Sequence, residues 1–572
     1  MSINYTLNIE NPHQHYVSVQ VSFDLNADGE ASLFMPSWSP GSYLLREYAR
    51  FVRKPAATDS SGAPLDFNQL DKGTWKISGG QKFAGNKAHF KYEVYCHELT
   101  VRTSYVDDEF AFIHGPSVFM GVEHLLDQPV NLKLHFPSSW SKISTGLKDT
   151  SSSRDEFAYS SVNYDDFIDC PIQIGCHYTD GFKVQDKDHE IAFYGEALPH
   201  NRNLKADMQK IVEHIAGYMG EIPYERYVFM THLVQGLYGG LEHKNSTALQ
   251  FCSRGFKKDK DYLNWLCLVS HEYFHTWNVK RIRPKGFGPF DYKKQFDSSM
   301  LWLAEGLTSF MDELFVYQCG LATIDEYLEM QTKNLNRYFS IHGRRFHSLE
   351  TSGFNAWDVL YKPTENSTNS SISYYLKGGI SFFLLNVLLV KNSSSTKEFI
   401  SRLWSWYKKT PEVGMEKEDV LTIIEDLGGP SARESFEEYI ETTIDLPIAS
   451  FFKDMGLGIE WESTNDVGFG FVHEVRDSRV FIKSVEIDSA AHSFGLNAGD
   501  EIIAINSLRI DRDNISDHLK NLKESNEYSF VVSRLGKLKA LQVSPKVLPK
   551  KIKSIKVIDQ KTVDKFLKGE LS

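Results

Sequence analysis

The hydrophobic period of this 572-residue chain changes twice along its length. From Met1 to about Asp180, short runs alternate apolar with polar residues between Gly, Pro, Asn and Asp clusters. They include VSVQVSFDL (17–25), ASLFMP (31–36), TWKISG (74–79), AHFKYEVYCHE (88–98) and VNLKLHF (130–136). A period of two turns one face of each run into a core, so residues 1–180 are expected to form an all-β domain. The period becomes helical at LKADMQKIVEHIAGYMGEI (204–222), which stops at Pro223, and a strand, RYVFMTHLV (226–234), then runs into a Gly-rich turn. Helices dominate from Lys260 to about Leu446, one of them opening after Asp297 and closing at Gly320. A mostly helical second domain is expected over 181–450. Near Ser450 the alternation returns in FGFVHEVR, RVFIKSVEI, EIIAIN and YSFVVSRL, which marks a small β module over 451–545. The Lys-rich tail, 546–572, reads as a strand and a short helix on the surface. The fold class is therefore multidomain α+β.

Composition narrows the field. Single cores stop growing at about 250–300 residues, so a chain this long divides into two to four domains. With 75 acidic against 63 basic residues the net charge is −12, which argues against a nucleic-acid partner. The N-terminus lacks a basic start followed by an apolar core. The longest mostly apolar segment, GGISFFLLNVLLV (378–390), falls short of the about 20 residues that cross a bilayer, so membrane insertion is not expected. Six cysteines, scattered with no C-x-x-C pair, fit reduced thiols and a cytoplasmic setting.

The candidate chemistry lies in YLNWLCLVSHEYFHTWNVKRI (262–282). Positions i and i+4 of a helix share a face, so His271 and His275 converge on one small object with Glu272 beside them. H-E-x-x-H is the spacing of two zinc ligands and a carboxylate general base, although two histidines on a helix are also ordinary half-buried side chains. A catalytic zinc needs a third protein ligand and an open position. Glu305 stands 30 residues after His275 inside the apolar LWLAEGLTSFMDEL, where a lone carboxylate is expensive to bury unless it meets a cation. The adjacent Gly306 would let two helices approach closely. Glu242, in QGLYGGLEHKNST (235–247), reads by itself as a solvated acid in a hairpin turn.

Taken together and in order, the motifs resemble the aminopeptidase N-like metallopeptidases. They are Gly239-Gly240-Leu241-Glu242-His243, the H-E-x-x-H segment, LWLAEG around Glu305, and YYLKGG at 374–379. MPSWSPGSYLLREYARFV (35–52), VRTSYVDDEFAFIHG (101–115) and HEYFHTWNVKRIRP (271–284) are similar to the glycyl aminopeptidase family, metallopeptidase family sixty-one, and the likeness spans nearly the whole chain. The resemblance implies a thermolysin-like catalytic domain holding one zinc per chain on His271, His275 and Glu305, with Glu272 as general base. It implies that Glu242, within the Gly239–His243 segment, holds the substrate's terminal ammonium and that a tyrosine stabilises the oxyanion. Alignment on Lys377-Gly378 selects Tyr375, with Tyr374 one residue away. His243 stands where better-known relatives carry Asn.

EIDSAAHSFGLNAGDEIIAIN (486–506) resembles a PDZ domain, a β-sandwich-like module. MGLGIEW (455–461) then looks like its carboxylate-binding loop, with Gly456, Leu457 and Gly458 offering backbone donors to a peptide ligand. A domain that merely braces the catalytic part fits the same residues. The whole reads as a zinc aminopeptidase acting on peptides with a free N-terminus, with small first residues such as Gly or Ala favoured. A zinc endopeptidase and a peptide-binding scaffold are the competing readings.

Overall fold

The structure is a computed structural model that describes residues 2–153, 156–195, 203–462, 466–520 and 522–568. Its packing divides the chain into two compact units. One comprises 1–297, 311–322 and 400–420, the other 298–310, 323–399 and 421–572. The division does not follow the sequence limits at 180 and 450.

In the first unit the expected β domain is present. Tyr16–Asp24 buries every second residue, so Val17, Val19, Val21 and Phe23 point inward, as the alternation requires. It sits near the middle of a seven-stranded sheet that also holds Ile3–Asn8, Val130–His135 and Lys87–Tyr95. A four-stranded sheet carries Glu30–Phe34 and Thr74–Ser78. One continuous core with Tyr5, Phe90, Phe119 and Phe167 joins these elements.

The same unit holds a five-stranded sheet that the sequence showed only in part. Its order is Tyr178–Val184, Lys187–Gly195, Arg226–Leu233, Ser246–Phe251 and Gly239–Glu242. Arg226–Leu233 is parallel to both its neighbours and is buried on both faces, which explains its near-continuous apolar run. Gly239–Glu242 is the edge strand, antiparallel to Ser246–Phe251. A helix, Asp259–Phe274, packs on this sheet through Trp265 against Phe193.

The second unit contains the apolar helix Tyr374–Lys391 and the helices Ile324–Ser340 and Pro430–Glu441. Ser367–Lys391 is long and apolar enough to cross a membrane, yet most of its apolar stretch is buried inside the protein, as in a core helix. The C-terminal β region is here as well. Phe471–Arg476, Arg479–Val485, Glu501–Ile505, Tyr528–Arg534 and Lys537–Val543 form one sheet over a core with Ile482, Ile502, Phe530 and Val532. Asp500 is buried there and forms a bidentate pair with Arg534, at 2.7 Å for each bond. The Lys-rich tail supplies the expected strand, Ile552–Val557, and helix, Gln560–Lys568.

Candidate metallopeptidase site

His271 and Glu272 occupy the last turn of the Asp259–Phe274 helix, and His275 is its C-cap, still in right-handed helical conformation. The i, i+4 relation survives: the His275 N–H donates to the His271 carbonyl at 3.2 Å, and the two rings lie 4.6 Å apart. Each imidazole is fixed from behind. His271 Nδ1 lies 2.7 Å from Asp312 Oδ2, and His275 Nδ1 lies 2.6 Å from the Asn278 carbonyl. Both partners are acceptors, so each ring carries its proton on Nδ1 and its lone pair on Nε2, the tautomer a metal ligand needs. Burial pushes the Asp312 carboxyl up, and the hydrogen bond from His271 pulls against it.

Edge-strand geometry positions Glu242. The strand Gly239–Glu242 brings its carboxylate beside the helix end, where single ligand atoms of Glu242, Glu272 and His275 lie within 4.8 Å of one another. Glu242 is only 5% exposed, and among the described residues nothing donates a hydrogen bond to its carboxylate or pairs with it. A buried carboxylate without such a partner is suited to meeting a cation. Gly240 is required by its neighbour, because a Cβ there would stand 2.0 Å from Glu272 Oε1. Arg102, from the N-terminal β region, donates from Nη2 to the Gly240 carbonyl at 3.3 Å. His243 is buried, with Nδ1 3.2 Å from Asp169. Burial would raise the Asp169 carboxyl, but the Lys280 ammonium at 2.7 Å and His243 hold it well below the usual carboxylate range.

Glu305 is 2% exposed and sits in a π-helical turn, Trp302–Gly306, that continues into the helix Leu307–Gln318. Asp312 follows it by seven residues, two turns along the same helix face. The ligand atoms of His271, His275 and Glu305 lie within 4.8 Å of one another. As expected for Gly306, the close approach is real: a Cβ there would stand 2.8 Å from Gly378 Cα. That contact seats the Tyr374–Lys391 helix beside the π turn. Tyr375 has its hydroxyl 3.3 Å from that of Tyr361, and its phenol is pushed far above the usual value, first by burial and then by the charge of Glu305. Tyr374 is fully buried and stacks on Tyr375 at 4.8 Å between ring centroids.

Sequence reasoning missed Asp312, Asn278, Asp169, Tyr361 and Arg102. Only Asp312 carried a signal, two helical turns beyond Glu305. Glu242 also departs from the solvated-acid reading, because the edge strand turns it inward. In the C-terminal region the carboxylate-loop reading needs correction. The Gly456 N–H donates to the Lys453 carbonyl, and the Gly456 carbonyl accepts from Ile558 and Asp559. Leu457–Trp461, which contains Leu457 and Gly458, pairs antiparallel with the chain's own tail strand, Ile552–Val557. This edge is taken up by strand pairing within the chain.

The fold agrees with the relationships of the sequence. Residues 4–176 match the Peptidase M61 N-terminal domain, 264–381 the M61 glycyl aminopeptidase domain and 450–526 the PDZ domain. No curated protein matches the chain. Among solved structures, an aminopeptidase N family protein from Idiomarina loihiensis is similar over 99% of this chain and 100% of its own, with a TM-score of 0.92 and 26% identity. An M1 zinc metallopeptidase from Deinococcus radiodurans aligns over 78% of this chain and 95% of its own, at a TM-score of 0.52 and 13% identity, a likeness of fold alone. Two successive M61 domains followed by a PDZ domain, in one chain whose fold is shared end to end with an aminopeptidase N family protein, identify it as a peptidase of the M61 glycyl aminopeptidase family with a C-terminal PDZ domain.

Proposed function

We propose that the protein is a zinc aminopeptidase that removes small N-terminal residues, Gly or Ala, from peptides. His271, His275 and Glu305 fit a zinc ion by the chemistry of their donor set: two imidazoles already in the ligand tautomer and one buried carboxylate. Bound there, zinc supplies a Lewis acid that polarises the scissile carbonyl and lowers the pKa of water to about 7. Glu272 takes the proton of the attacking water and passes it to the departing amine. Tyr375 donates its hydroxyl to the oxyanion, and its strongly raised phenol pKa keeps that proton on the ring at neutral pH. Glu242 binds the substrate's terminal ammonium.

One observation carries the choice of aminopeptidase: the buried, unpartnered carboxylate of Glu242, with an oxygen within 4.8 Å of Glu272. An ammonium held there places the first peptide bond, and no later one, at the general base. The preference for Gly and Ala rests on the family likeness. The test compares a glycyl or alanyl peptide with its N-acetylated form. The free peptide should be cleaved and the acetylated one barely touched. Glu242→Ala should lower kcat/KM on the free peptide by roughly 30-fold to several-thousand-fold without changing zinc content, because it leaves the ammonium unpaired. Similar cleavage of both peptides by the wild type would establish an endopeptidase instead.

A further inference from the structure

The Glu242 carboxylate is covered on one side by a turn from the N-terminal β domain. Residues Ser39-Pro40-Gly41-Ser42 close with Ser42 N–H donating to the Ser39 carbonyl at 3.0 Å. Gly41 adopts φ +80°, the left-handed value that follows proline in a type II turn. Its missing side chain faces the candidate site: a Cβ on Gly41 would stand 2.6 Å from both Glu242 carboxylate oxygens and 2.7 Å from Leu241 Cδ1. Glycine is therefore demanded twice, by the backbone conformation and by the carboxylate.

The turn is held rigidly. Ser37 N–H donates to the Tyr292 carbonyl at 2.8 Å, and the indole N–H of Trp38 to the Asp291 carbonyl at 3.0 Å. The fully buried Trp38 ring packs against Phe290 and Phe296, with centroids 5.4 and 5.3 Å away. Arg46 donates to the Ser42 hydroxyl at 3.3 Å. A cavity of about 60 Å³, room for a few water molecules, remains beside Gly41 and Glu242.

We infer that the Ser39–Ser42 turn is the steric stop of the amine subsite, so that the N-terminal β domain sets which end of a peptide is cut. The inference rests on Glu242 holding the ammonium. The Gly41 backbone lies against one face of the carboxylate, while Glu272 and His275 offer their ligand atoms within 4.8 Å of it. Chain continuing beyond the amine, or an acyl group on it, meets the turn. Endopeptidase cleavage is thereby excluded by shape as well as by charge. Gly41, Pro40 and the anchored Trp38 act as positioning residues and touch no reacting atom.

The experiment places Gly41→Ala and Gly41→Asn in the full-length zinc-loaded protein and again in a Glu242→Asp background, where the carboxylate is shorter by one methylene. Asparagine tolerates positive φ, so it separates collision from backbone strain. Both variants should raise KM for a glycyl reporter by roughly tenfold or more, with the smaller change in kcat and with zinc content kept. In the Glu242→Asp background the added penalty should largely vanish, because the groups that collide have been drawn apart. Equal penalties in the two backgrounds, or harm from Ala but not Asn, would overturn the inference and assign the effect to strain in the turn. If the wild type does not distinguish free from acetylated peptides, the aminopeptidase reading itself fails. If it does distinguish them and Gly41→Asn retains wild-type KM, only the role of the turn fails.

Discussion

The paired histidines and Glu242 lie within a few ångströms of one another and are built on opposite principles. His271 and His275 each have a protein acceptor behind the ring, which settles tautomer and orientation before any ligand arrives. Glu242 has no such partner among the described residues, and its surroundings constrain it by shape alone, through Gly41. The difference separates two tasks. A resident ion is held by groups whose second bonds are already made, whereas a visiting ammonium finds a carboxylate whose charge is still unanswered.

The strongest way to break this comparison is to remove a ring. His271→Ala or His275→Ala should abolish both bound zinc and peptidase activity, measured by metal analysis and by turnover of an alanyl reporter. Full zinc occupancy in either variant would show that these rings are not the ligands, and the pairing with Asp312 and Asn278 would then be only structural.

The next effect concerns chemistry without metal loss. Tyr375→Phe should lower kcat by on the order of 10²- to 10³-fold, as removal of one oxyanion donor does, with zinc retained. Tyr374→Phe should do far less, since that ring is buried behind Tyr375. The reverse ranking would move the oxyanion donor to Tyr374.

A smaller effect tests the support behind His271. Asp312→Asn should weaken zinc affinity by roughly 10- to 100-fold, read by chelator competition, while the fully loaded enzyme keeps most of its activity. An unchanged zinc affinity would show that the ring needs no acceptor behind it, which removes half of the contrast with Glu242.

The smallest effect lies in the same helix as Tyr375. Lys377 is fully buried with its ammonium on the Thr442 carbonyl at 2.9 Å, and burial pushes its pKa down to about 8 from 10.5. Between those pH values the unfolded chain holds a proton that the folded one has released, so this residue makes stability rise with pH, by at most about 1.4 kcal/mol per pH unit. Denaturant unfolding of Lys377→Met at pH 7, 8.5 and 10 should show a flatter profile than wild type. An unchanged slope would mean that Lys377 keeps its ordinary pKa.

By itself the sequence determined the elements whose signal is local. Alternation of period two marked Tyr16–Asp24 because a half-buried strand needs it, and H-E-x-x-H marked the helix end because spacing along a helix decides which side chains share a face. Glu305 was legible because an acid inside an apolar helix is costly without a cation. The five-stranded sheet was legible only in pieces, since a fully buried parallel strand such as Arg226–Leu233 has no alternation to read. What only the tertiary structure decided was the set of partners distant in the chain. Asp312 reaches His271 across 41 residues, and Gly41 meets Glu242 across two hundred. Gly41 carries no pattern of its own, and the spacing of Asp312 from Glu305 does not name its partner, because a hydrogen bond or a close approach depends on where the backbone returns in space.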